Sequence, residues 1–110
     1  MIEIENIQKM LILFEQNQTI TTIKSERYDI LLEKIDFPDN NGNSKNIMLS
    51  LRSNKAFDLQ YTLQKIAELK YSKFQVGLFK KNIQISCNLD IKNITVNVLF
   101  DNIYLMEQLI

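Results

Sequence analysis

Side chains able to carry chemistry cluster in two places along the chain. The first stretch holds Lys65, Lys70, Lys73, Lys80 and Lys81 against Glu68 alone, with Tyr71, Phe74 and Phe79 interleaved. Lysines neutralise phosphates and an exposed aromatic ring stacks on a base. Lys70, Lys73, Phe79, Lys80 and Lys81 are therefore a candidate site for single-stranded nucleic acid. Dipole-matched lysines at a helix end, followed by a charged hairpin tip, would account for the same residues with no ligand at all.

The second place is Gln84, Ser86, Asn88, Thr95 and Asn97, polar and uncharged, on alternate positions of two apparent strands. Solvent-facing sheets usually carry Lys and Glu, which discourage unwanted pairing. A neutral hydrogen-bonding face can be desolvated with little charge penalty, so it suits a protein partner or a second copy of the chain. A plain wet sheet in an Asn-rich protein is the bland reading of the same five residues.

Catalysis finds no foothold. Histidine is absent, which removes the commonest metal ligand and the side chain whose pKa best suits proton transfer near neutrality. Glu33 with Asp36, or Asp29 with Glu33, would be neighbours on a helix, but Lys24, Arg27 and Lys34 surround them and point to a salt-laced surface. The single cysteine, Cys87, lies on the apolar parity of its strand and reads as core. Gly42 and Gly77 are isolated, so no phosphate-cradling loop exists. An EF-hand register with Gly42 at its sixth position puts Phe37 and Met48 at the ligand ends, and both are apolar. Neither an enzyme, nor a cofactor, nor a metal site is expected.

Composition narrows the class further. The 110 residues fit one domain, 1–110, and a hydrophobic share of 45% with 24% charged residues is that of an ordinary globular chain. Lys+Arg 13 balance Asp+Glu 13, so no global field draws in nucleic acid or anionic lipid. The acidic start Met1-Ile2-Glu3-Ile4-Glu5 is unlike a secretory signal, and the longest apolar run, Met10 to Phe14, is too short to span a bilayer. With one cysteine and no disulfide, a reduced cytoplasmic setting is the expectation, with no membrane partner. Abundant Ile, Lys and Asn beside scarce Arg suggest an AT-rich genome, such as that of a phage or another mobile element.

Hydrophobic periodicity supplies the elements that would position these side chains. Ile4, Ile7, Leu11 and Phe14, with Met10 beside them, predict a helix from Glu3 to Gln16. Thr19–Ile23 is β-branched and predicts a strand. A second strand starts at Tyr28, but the apolar parity slips at Ile35 and Phe37, which a bulge or a short helix over Asp29–Ile35 would explain. Pro38 to Lys45 is a loop, and Ile47, Leu49 and Leu51 alternate as a third strand. A second helix is expected from about Lys55 to Ser72, with a buried stripe of Leu59, Leu63, Ile66 and Ala67 helped by Phe57 and Leu69. Three antiparallel strands follow as a meander, Phe74–Phe79, Ile83–Leu89 and Ile94–Phe100. The last segment carries Ile103, Met106 and Ile110 on one helical face and reads as a short C-terminal helix or an edge strand.

The expected fold is α+β: an antiparallel sheet of about five or six strands with two main helices packed on one face. This order of elements is similar to that of small dimeric secretion chaperones. The expected function is a non-enzymatic protein-binding module (an adaptor, chaperone or inhibitor), homodimeric through its sheet. The alternative is the nucleic-acid module built on the lysine and aromatic patch.

Overall fold

The computed structural model describes residues 2–16, 19–37, 44–53, 59–69, 73–79 and 82–110. Its elements run α1 (Ile4–Glu15), β1 (Ile20–Lys24), β2 (Tyr28–Phe37), β3 (Ser44–Ser53), α2 (Leu59–Glu68), β4 (Phe74–Phe79), β5 (Asn82–Asp90), a 3-10 turn (Ile91–Asn93) and α3 (Val96–Gln108). The strands form one antiparallel five-stranded sheet in the order β1-β2-β3-β5-β4. The fold is α+β, as the element pattern predicts.

One strand parity builds the core. Ile30, Leu32, Ile47, Leu49, Leu51 and Ile85 are fully buried on one face of the sheet. The helices close over that face, since α1 contacts β1 and α3, and α3 contacts β3. From α1 come Ile7, Met10, Leu11 and Phe14, the apolar stripe that helical spacing predicts, although Ile4 at its start is 45% exposed. The side chain of Glu107 joins three elements at one end. It accepts the Ile2 N–H at 3.1 Å and the Tyr28 hydroxyl.

The segment expected as a third meander strand, Ile94–Phe100, is helical from Val96 onward. Thr95 sits extended at the N-cap, and its Oγ1 accepts the Val98 N–H at 3.2 Å. From there Leu99, Ile103 and Met106, at positions i, i+4 and i+7, are all fully buried. Burial at helical spacing overrides the β-preference of Val96 and Val98. The place beside β5 that a meander would give to that strand belongs to β3. Ile110, expected on the buried stripe, is 38% exposed, while Leu109 is buried. Thr95→Ala should cost about 1 kcal/mol through loss of the cap, read as a lowered midpoint in a urea melt. An unchanged midpoint would mean that the hydroxyl does not hold the helix start.

Two further expectations are corrected. β2 pairs with β3 residue for residue from Tyr28↔Ser53 to Phe37↔Ser44, without a bulge or a helix. The slip in apolar parity has another cause. Lys34 takes the core-side position at the far end of the strand, its ammonium 4.9 Å from the centre of the Phe14 ring, and Ile35 falls on the opposite face. In α2, Leu63 and Ala67 are exposed, Ile66 and Leu69 pack inward as expected and are joined by Thr62, and the side chain of Leu59 lies outside the described residues. Thr62 donates its hydroxyl to the Leu109 carbonyl at 3.1 Å, so a polar anchor rotates the stripe by one position. Phe57 lies outside the described residues.

Candidate functional site: the open face of the sheet

The pleat sends residues of the other parity to the face opposite the helices. Cross-strand register arranges them in rows. Lys24, Asp29, Arg52, Gln84 and Gly77 form the first, and Thr22, Leu31, Ser50, Ser86 and Gln75 the second. Ile20, Glu33, Met48 and Asn88 form the third, and Ile35, Asn46 and Asp90 the fourth. Among the described residues no helix covers this face.

Three of the five residues proposed for partner binding, Gln84, Ser86 and Asn88, lie together here on β5. Thr95 and Asn97 do not. They belong to the cap and first turn of α3, because the segment that carries them is a helix rather than a strand. Their places in the patch are taken by residues of β2 and β3.

Hydrogen bonds tie the centre of the face together. Arg52 donates from Nε to Gln84 Oε1 at 3.3 Å, and Gln84 donates from Nε2 to Ser50 Oγ at 3.0 Å. Ser50 is thereby only 2% exposed although it lies on the uncovered side. Leu31, Ile35 and Met48 are half-buried beside this polar strip. These apolar members were missed from the sequence. The slip at Ile35 was their one visible signal.

The lysine and aromatic stretch is placed only in part. Lys73 is exposed just ahead of β4, and Phe79 ends that strand. Lys70, Lys80 and Lys81, with the side chain of Phe79, lie outside the described residues. Lys65 is engaged locally, 3.4 Å from Glu68 and 5.6 Å from the centre of the Tyr61 ring.

The β2 strand does not bring Asp29 and Glu33 together. Asp29 and Glu33 are four residues apart on an extended strand, roughly 13 Å. The backbone positions of Glu33 and Asp36 are roughly 10 Å apart on the same strand, and the side chain of Asp36 lies outside the described residues. Cys87 is buried and donates to Asn102 Oδ1 at 3.8 Å. Burial pushes its thiol up to about 12, with the Lys73 ammonium opposing, so little thiolate forms at neutral pH. Burial also raises the Tyr28 phenol, reinforced by the Glu107 carboxylate and opposed by Arg27.

Clefts elsewhere among the described residues include two. One of about 450 Å3 is lined by Ile2, Asn6, Lys24, Arg27 and their neighbours at the start of α1. The other, of about 430 Å3, lies between α2 and the end of α3 against Tyr61, Lys65 and Leu105. The first also takes in Glu3, Glu26 and Tyr28, and the second Glu68. Among the described residues there is no cluster of metal-binding side chains and no helix long and apolar enough to cross a membrane. No family model, curated protein or solved structure matches the chain.

Proposed function

We propose that the protein is a non-enzymatic protein-binding module, an adaptor, chaperone or inhibitor, whose docking surface is the open face of β2, β3 and β5. The observation that carries this reading is the make-up of that face. Neutral Gln84, Ser86, Asn88 and Ser50 adjoin half-buried Leu31, Ile35 and Met48, on the side of the sheet opposite the helices. The centre of such a surface loses little on desolvation and gains from burial of its apolar members, which is how the centre of a protein interface is built. A free buried thiol suits a reducing compartment, so the site of action is proposed to be the cytoplasm.

Ser86→Arg places a charged, bulky side chain in the middle of the face and should weaken partner binding at least tenfold, with the melting temperature nearly unchanged. Asn97→Arg, on α3, should bind as the parent does. Titration of both variants against the isolated partner checks this. Loss of binding in Asn97→Arg with full binding in Ser86→Arg would move the docking site to the helices. A steep loss of binding with salt would instead favour the lysine patch and a nucleic acid.

A further inference from the structure

We infer that the occupant of the open face is a second copy of this chain, stacked sheet on sheet about a two-fold axis that crosses the strands. The inference rests on the reading of that face as a docking surface and names its partner.

The layout of charge carries it. The row at the β1–β2 turn holds Lys24 and Arg52 with Asp29 between them, a net positive end. The two rows toward the far end of β2 hold Glu33 and Asp90 and no cation. The two rows between Arg52 and Asp90 on β3 and β5 contribute Ser50, Ser86, Met48 and Asn88, all uncharged. A strongly charged partner would find no matching field here, whereas a copy of the same surface does once it is turned end for end.

The choice of axis follows. A two-fold along the strands would keep each row over itself and bring Arg52 close to its own image, at a repulsive cost. A two-fold across the strands reverses the row order. Arg52 and Gln84 then lie over the row that holds Asn46 and Asp90 in the second copy, positive end on negative end. An isologous contact of this kind uses one patch twice.

Size agrees with this occupant. The 17 positions of the four rows, on strands about 4.8 Å apart with rows about 6.8 Å apart, give a flat footprint of roughly 550 Å2. Side-chain relief raises the accessible area toward the roughly 800 Å2 that each partner contributes to a standard interface. Sheets stacked face to face lie about 10 Å apart, which side chains of the size of Leu31 and Met48 can fill.

Sedimentation velocity of the full chain over a concentration series tests the proposal. The parent should dimerise, and Ser86→Arg, folded by circular dichroism, should raise the dissociation constant at least tenfold. Arg52→Glu should do the same, and the double variant Arg52→Glu/Asp90→Lys should recover the dimer. A parent that stays monomeric at high concentration overturns the inference, as does a dimer indifferent to Ser86→Arg. A dimer broken by Ser86→Arg and by Arg52→Glu but not restored in the double variant overturns the proposed axis and with it the proposal. The docking surface itself is judged separately. A monomeric parent that still loses a different protein partner on Ser86→Arg keeps the open face as the site and removes only the second copy.

Discussion

Leu49→Ala should destabilise the protein by about 2–5 kcal/mol, while Met48→Ala, one residue earlier, should cost less than about 1 kcal/mol. Leu49 is fully buried in the middle of the central strand, in register with Leu32 on one side and Cys87 on the other. Removing its branched end leaves a cavity that the packed helices can only partly close. Met48 faces the open side and is half-buried, so truncation there costs mainly exposed contacts. Against a total stability of roughly 5–15 kcal/mol, the first change threatens the fold and the second does not. Urea melts with an unchanged slope check both values. Equal losses at the two positions would mean that the faces of β3 are wrongly assigned.

Alkali should expose a second large effect. The Cys87 thiol is raised from an ordinary value of 9.0 to about 12, chiefly by burial. A group whose folded pKa is raised contributes its full stability below the unfolded value and loses it as pH climbs. The Cys87 contribution should therefore be flat below about pH 9 and should be lost between about 9 and about 12. Over that window the slope from Cys87 approaches ~1.4 kcal/mol per pH unit. Tyr28, raised in the same direction, deepens the loss at the alkaline end. Cys87→Ala should flatten the curve between these limits, which denaturant melts at stepped pH would show. At pH 8 the folded thiol should also react with iodoacetamide at least roughly a hundredfold more slowly than in urea, because little thiolate forms and access needs opening. Rapid labelling of the native chain would place Cys87 at the surface.

Much of this architecture was legible as period. Ile7, Leu11 and Phe14 announce α1 at helical spacing, and Ile47, Leu49 and Leu51 announce β3 at a spacing of two. α3 was not legible over its first turn. Between Ile94 and Phe100 the alternation of β-branched and polar residues imitates a strand. The helical set Leu99, Ile103 and Met106 emerges only when the window is carried past Asp101 and Asn102. α2 misled for a different reason. Thr62 is polar and scores poorly as core, yet its bond to the Leu109 carbonyl makes it the inward residue, a contact across 47 positions of chain.

The candidate site shows the same division. Gln84, Ser86 and Asn88 could be read from the alternation of β5 alone. Leu31, Ser50 and Met48 could not, because their membership depends on β3 lying beside β5. That neighbour is separated from β5 in sequence by α2 and β4, and strand order across such a crossover is a tertiary outcome. Lys34 hid the apolar edge of the patch by occupying a core-side position under the α1 ring of Phe14.

The side-chain amides of Asn46, Gln84 and Asn88 report directly on the open face, and those of Gln64 and Asn97 report on the helices. Nuclear magnetic resonance of these amides, followed as the chain is concentrated or its partner is added, should show the first group shifting and broadening together while the second stays still. Movement confined to Gln64 and Asn97, with Asn46, Gln84 and Asn88 unchanged, would contradict a docking surface on the sheet.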